Sequence, residues 1–184
     1  MPLHDRIVLY PERAGLYHLA RLNARWFWLD EPLVSAFIER WRPETHTFHM
    51  PFEKCIITLQ DVVYQLGQPV DGLLVFGCLT DFEKFMKEGK PAWEWFRVLP
   101  DDATEETVHI YARVYIMMLL FTQLFGDKSE NRVHIRWLPF VPRLVYMGSY
   151  RWGSATLAWL YRCMCPMANR NVTNLAGPLQ LLQS

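Results

Sequence analysis

The segment "DDATEETVHIYARVYIMMLLFTQLFGD", residues 101 to 127, constrains this chain most. It carries the strongest helical pattern of the chain. From Val114 onward the run "VYIMMLLFTQLF" is apolar on nearly all sides, and a helix of that kind has to be enclosed by other elements. The run is too short to span a bilayer, and His109 and Arg113 precede it on the same helical pattern, so a buried central helix is expected and no membrane span. Asp102 or Thr104 can cap the first amides, Glu105 and Glu106 suit the positive end, and Gly126 is expected to close the helix.

Other helices must therefore pack around it. In "LDEPLVSAFIERWRP", Asp30 is the expected N-cap and Pro32 sits in the first turn, where a missing N–H costs little. Leu33, Val34, Phe37, Ile38 and Trp41 fall on one face, and Pro43 is the expected stop. "GLYHLARLN" places Leu16, Leu19, Ala20 and Asn23 on one face of a shorter helix. "YRWGSATLAWLYRCMC" is a helix whose front turn of Gly153, Ser154 and Ala155 permits close approach by a neighbouring helix, with Pro166 as its end. "NRVHIRWLP" alternates over a few residues before a helix expected near Leu138 or Pro139. "TNLAGPLQLLQS" opens an amphipathic helix carrying Leu179, Leu181 and Leu182.

Between these lies a small module. "THTFHM" and "CIIT" flank the break "PFEK" and predict a hairpin. Thr58 and Asp61 have capping-box spacing, Leu59, Val62, Val63 and Leu66 stripe a short helix, Gly67 closes it in a left-handed cap and Pro69 blocks its resumption. "GLLVFG" is expected as a strand after the Asp71–Gly72 turn. "DFEKFMKEGKPAWEWFRVLPDD" is expected as a surface excursion pinned by Trp93, Trp95 and Phe96. The fold class is thus mainly α, within α+β: a helical domain with a hairpin–helix–strand module near residues 45 to 76. With 184 residues, 51% of them hydrophobic, one domain with a substantial core is expected.

Charge narrows the function classes. The chain is formally neutral, yet residues 131 to 184 hold six arginines, no lysine and no acid, against an acidic excess before them. Arg132, Arg136, Arg143, Arg151, Arg162 and Arg170 can pair with phosphate or carboxylate, and Trp137, Tyr146, Tyr150 and Trp152 can stack on bases. The competing reading ties these arginines to the acidic front of the same domain, and the lack of net excess charge favours it. Arg132, His134, Arg136, Trp137, Arg143 and Arg151 are the candidate contacts to a partner or a nucleic acid.

Catalytic patterns are absent. No Gly-x-Ser-x-Gly, Walker loop or dinucleotide glycine fingerprint occurs, and none of the five lysines has the setting of a Schiff base. His46, His49 and Cys55 lie close in sequence, but residues three apart on a strand face opposite ways, and zinc sites usually show two tight ligand pairs. These residues are expected as scaffold. No catalytic residue, metal or cofactor is assigned. Cys55, Cys78, Cys163 and Cys165 lack a Cys-x-x-Cys motif, the start "MPLHDRIVLYPERAG" lacks the apolar core of a signal peptide, and reduced intracellular thiols are expected.

The strings "GLYHLARL", "LVSAFIERWRPETHTFHMPFEKCIITLQDVVYQLGQPVDG", "NRVHIRWLP" and "YRWGSATLAWLYR", in that order, resemble the plant mobile domain, also labelled aminotransferase-like. The resemblance covers residues 15 to 184, leaving 1 to 14 as an N-terminal extension. It implies a plant protein, a domain found in transposable elements and in domesticated host genes, and a nuclear role linked to transposon silencing, gene expression and meristem maintenance. It also implies a nuclear protein partner of phosphatase-like character. Such domains usually continue past "LLQS" with a Trp-containing helix, so the end of this chain is read as the cut edge of a longer domain. The combined expectation is a non-enzymatic nuclear interaction domain. The alternatives are a nucleic-acid-binding module of a transposon-derived protein and an inactive transposon relic.

Overall fold

In the computed structural model, which describes residues 4–23, 30–75, 86–87, 90–91, 98–125, 146–168 and 177–183, a 3-10 turn (Asp5–Ile7) leads into α1 (Leu9–Arg13), α2 (Tyr17–Asn23) and α3 (Glu31–Arg40). Then come β1 (Trp41–Arg42), β2 (Thr47–His49), β3 (Lys54–Cys55) and α4 (Leu59–Leu66). A small ladder pairs β4 (Met86–Lys87) with β5 (Lys90–Pro91). α5 (Glu105–Leu119), a π-helical turn (Leu120–Leu124), α6 (Trp152–Met167) and a 3-10 turn (Leu179–Leu182) complete the order. The fold is mainly helical, with a three-stranded antiparallel sheet in the order β1-β2-β3 set among the helices.

α5 is the central helix. Thr104 caps it by accepting from the Thr107 amide at 3.3 Å, and Glu105 and Glu106 occupy the first turn. Its side chains are buried without a break from Val114 to Leu119, and the burial continues through Leu120 and Phe121. A fully buried Leu, Ile or Met contributes about 1.5–3 kcal/mol, while a cap contributes about 1 kcal/mol, so packing and not capping holds this helix. Beyond Leu119 the helix widens into the π turn, where the Phe125 amide reaches the Leu120 carbonyl at 2.9 Å; Gly126, the expected close, lies outside the described residues. That turn aims Phe125 at Trp152 and Trp159 of α6, with ring centroids 6.3 and 6.4 Å away.

The N-terminal turn, α1 and α2 pack along α5. Ile7, Ala14, Leu16, Leu19 and Ala20 are buried, so part of the stretch before residue 15 belongs to the core. Arg6 pairs with Glu105 at 3.5 Å, and the Tyr10 hydroxyl lies 3.3 Å from His109 Nε2.

α3 is capped as its sequence asks: Asp30 Oδ1 accepts from the Leu33 amide at 3.0 Å. It ends one residue earlier than periodicity suggests. Trp41 pairs with Phe48 as the start of β1 instead of completing the helical stripe. Trp41 is bulky and is fully buried between α3, the sheet and α6, which selects the extended conformation. β1 is thus the third strand of the sheet. The strand expected at "GLLVFG" is reduced, among its described residues, to a single parallel bridge between Leu73 and Tyr150.

α4 follows the sequence closely. The Thr58 and Asp61 side chains cap each other's amides, and Gly67 closes the helix at φ +60°. α4 packs on α6. Pro166 does not end α6: it lies inside the last turn, where the helix runs on to Met167 and only one backbone bond is forfeited. The C-terminal leucines form a 3-10 turn and no α-helix, with Leu179, Leu181 and Leu182 all buried. The excursion around Trp93, Trp95 and Phe96 and the helix expected near Leu138 lie outside the described residues.

Candidate functional site

Two of the singled-out strings meet at the head of α6. The extended stretch after the Gly67 cap offers its carbonyls to the helix start. Pro69 O accepts from the Gly153 amide at 2.9 Å and Val70 O from Ser154 Oγ at 2.8 Å. Leu73 O accepts from the Arg151 amide at 3.1 Å, and the Leu73 amide donates to Ser149 O at 2.8 Å. A Cβ on Gly153 would stand 3.1 Å from both the Gln68 and Pro69 carbonyl oxygens, so the small front turn serves close packing, against an extended segment and not against a helix. These bonds take up donors of the α6 first turn, which is therefore no open phosphate cradle.

Arg151 is the one member of the predicted contact set within the described residues; Arg132, His134, Arg136, Trp137 and Arg143 lie outside them. Arg151 is half-buried, and its Nε is buried without an acceptor. Arg162, further along α6, is exposed, with its guanidinium carbon 5.9 Å from the Trp159 ring centroid. Among the described residues neither arginine pairs with a carboxylate, and the ion pair present is Arg6–Glu105. The internal pairing that charge counting favoured is thus not seen at these two positions. The reason is local: α6 packs on α4, whose one carboxylate, Asp61, is engaged by the Thr58 amide at 2.6 Å and the Thr58 hydroxyl at 2.8 Å. Around the Leu73–Tyr150 bridge, Leu73, Leu74 and Tyr146 are more than half or about half exposed, at 57%, 50% and 63%, an apolar surface beside an arginine.

The hairpin histidines go separate ways. His46 is not on a strand; it sits in the β1–β2 turn at φ +52°. Its ring lies nearly parallel to that of Tyr161, with centroids 5.8 Å apart and planes 6° from parallel, and Trp41 approaches the same tyrosine at 5.1 Å. His49 lies on β2 with its Nε2 buried and unpartnered. Cys55 lies on β3, and burial together with Glu53 pushes its thiol above the ordinary range, which disfavours the thiolate a metal or an electrophile needs. Among the described residues no group of three or more His, Cys, Asp or Glu is placed to hold a metal ion.

Tyr161 escaped the sequence reading. Its hydroxyl donates to the Ile57 carbonyl, and it ties α6 to the hairpin through His46 and Trp41. Nothing in local spacing marks it, because its partners lie about a hundred residues away in the chain. The exposure of Leu73 and Leu74 was equally hidden, since an apolar run reads as buried until its neighbours are known.

The likenesses to known proteins agree with this frame. The plant mobile domain profile matches residues 15–184. The chain is 38% identical over 92% of its length to the Arabidopsis thaliana "Serine/threonine-protein phosphatase 7 long form homolog", of which it spans 14%. It is 34% identical over 94% of its length to Arabidopsis "Protein MAIN-LIKE 2", of which it spans 28%. It is 32% identical over 84% of its length to Arabidopsis "Protein MAINTENANCE OF MERISTEMS", of which it spans 36%. The chain therefore spans well under half of each of these relatives, and none of their names carries an aminotransferase activity. No solved structure matches the chain significantly. By profile and by identity over most of its length, the chain belongs to the plant mobile domain family.

Proposed function

We propose that this chain is a non-enzymatic interaction domain that holds a protein partner in the plant nucleus. The single observation that carries this reading is how its most distinctive strings are used. "LGQPVDG" and "YRWGSA" spend their residues on each other, through the Pro69–Gly153, Val70–Ser154 and Leu73–Arg151 hydrogen bonds. A reaction centre would instead converge titratable groups on a cavity. Relatives named for meristem maintenance and for a phosphatase long form support a role in meristem upkeep with a phosphatase-like partner; the proposed role extends to transposon silencing and gene expression. The N-terminal stretch before residue 15 is proposed to be part of the folded unit. The test has two arms. Crosslinked capture from plant nuclei is expected to recover a specific protein, and purified chain is expected to turn over neither phosphoesters nor amino-acid/keto-acid pairs. Turnover of either substrate class overturns the reading.

A second reading, direct nucleic-acid binding, is favoured by one observation: Arg151 and Arg162 are not tied to a carboxylate among the described residues. Arg132, His134, Arg136, Trp137, Arg143 and Arg151 are its proposed contacts. It requires affinity that falls steeply with salt and a shallower slope when Arg132, Arg136 and Arg143 are replaced together.

A further inference from the structure

β3 is an outer strand of the β1-β2-β3 sheet. Alternation along it assigns the direction of its backbone groups. Phe48 pairs with Cys55, the Met50 amide donates to the Glu53 carbonyl at 2.9 Å, and the Ile57 carbonyl accepts from the Tyr161 hydroxyl. Residues 53, 55 and 57 are therefore bonded inward, to β2 and α6. The amides and carbonyls of Lys54 and Ile56, between them, point away from the sheet, and among the described residues they meet no backbone partner. The edge ends where the Thr58 amide is taken up by Asp61 at the start of α4. Exposed apolar side chains flank it: Phe52 at the β2–β3 turn is 81% exposed and Ile56 is 51% exposed, with Leu59, Val63 and Tyr64 exposed on the α4 that follows.

The same alternation sorts the charges. Lys54 lies opposite His49, and Arg42 opposite Thr47, so these side chains share the outer face of the sheet, while Trp41, Phe48 and Cys55 share the face turned to the core. Glu53 is exposed but falls on the Cys55 side, where it adds to burial in raising that thiol. The outer face of the strands therefore carries the exposed Arg42 and Lys54 and no carboxylate. Two antiparallel copies of an edge this short would bring their Lys54 side chains close together, and an edge lysine is a common guard against such self-pairing. A strand of opposite charge meets no such barrier. We propose that β3 takes an extended segment of a partner protein as a fourth strand, with an Asp or Glu beside Lys54 and an apolar side chain beside Ile56. Main-chain bonds to Lys54 and Ile56 supply the affinity, and the alternate side chains supply the choice of segment. Phe52 and Ile56 stand two positions on either side of Lys54, so the matching pattern, apolar-x-acid-x-apolar, reads the same in both chain directions. The inference rests on the protein-interaction reading and names the partner's chemistry.

The test uses the full chain and fluorescence anisotropy, with a labelled peptide repeating Val-Thr-Glu-Thr, the same peptide with Lys for Glu, and two versions of the first N-methylated on alternate sets of amides. The Glu peptide is expected to bind about tenfold more tightly than the Lys peptide. Methylation of one set of amides is expected to abolish binding and of the other to spare it, which is the signature of a strand in a ladder. Lys54→Glu is expected to exchange the charge preference, and Ile56→Ser to weaken binding of the Glu peptide about tenfold. Both positions are exposed, and circular dichroism checks that the two variants keep the fold. Equal binding of the Glu and Lys peptides, equal effects of the two methylation patterns, or binding that survives both substitutions overturns the proposal. Self-association of the chain that Ile56→Ser abolishes also overturns it, by giving the edge to a second copy. If the peptides fail while the parent chain and both variants capture the same nuclear protein, this edge is excluded and the interaction reading stands; if neither the peptides nor a nuclear protein binds, both fail.

Discussion

The α-carbon of Gly72 faces the carbonyl oxygen of Ser149 so closely that a Cβ there would stand 2.3 Å from it. Gly72 also has φ +122°, a backbone conformation that side chains avoid. Gly67 is a milder case, at φ +60° with His18 Cγ and Cβ 2.8 and 2.9 Å from the missing Cβ. Turning the ring moves Cγ but leaves Cβ, so relief there is partial, whereas the hydrogen-bonded Ser149 carbonyl gives none. Gly67→Ala is therefore expected to cost about 1–2 kcal/mol, and Gly72→Ala about 3 kcal/mol or more. Urea denaturation of the two variants checks the order. A His18→Ala background is expected to recover part of the Gly67→Ala loss and none of the Gly72→Ala loss.

The capping box of α4 gives a second expectation. Thr58→Ala removes the acceptor for the Asp61 amide and the hydroxyl that donates to Asp61 at 2.8 Å. The Thr58 amide keeps its 2.6 Å bond to Asp61. With one half of the box retained, the expected loss is about 1 kcal/mol, read as a lower denaturation midpoint at unchanged slope.

Local chemistry was legible in the sequence and long-range pairing was not. The Asp30, Thr58 and Thr104 caps, the left-handed Gly67 and the enclosed core of α5 all follow from residues within one or two helical turns of each other. Helical spacing continues through Trp41, yet burial against Phe48 and Tyr161 draws it into a strand. Pro166 inside α6 and the 3-10 turn at Leu179–Leu182 also depart from local propensity, the turn with its leucines buried where it packs on α3 and α4. Of the predicted contact set only Arg151 can be placed, and what marks it, a buried Nε without an acceptor, is a property of three-dimensional surroundings.

Alkaline pH is expected to destabilise the fold through two tyrosines. Burial raises the Tyr115 phenol above its ordinary 10.0, partly offset by a hydrogen bond with Asn23. Burial and the nearby Asp61 raise Tyr161, partly offset by its bond to Ile57. A raised folded-state value means that the unfolded chain loses these protons first. Their stabilising contribution is complete below the unfolded value near 10 and is lost as pH rises through the folded values. Denaturation midpoints measured upward from neutral pH are expected to stay level with respect to these groups and then fall above about pH 10. Tyr115→Phe and Tyr161→Phe are each expected to flatten that fall; an unchanged slope in both would assign it to other groups.

The segment before residue 15 sets packing against charge in its hold on the rest of the domain. Ile7 is 1% exposed, whereas the Arg6–Glu105 pair is open to solvent, with side chains 36% and 80% exposed. Removing a buried isoleucine side chain costs about 2–5 kcal/mol, and an exposed ion pair is worth about 0–1 kcal/mol. Ile7→Ala is therefore expected to destabilise strongly and Glu105→Gln hardly at all. A chain started at Gly15 is expected to melt below the full chain, because it also bares the surface of α5 that Ile7 and α1 cover. Equal melting of the two chains, followed by circular dichroism, would show that α5 closes over that surface without them.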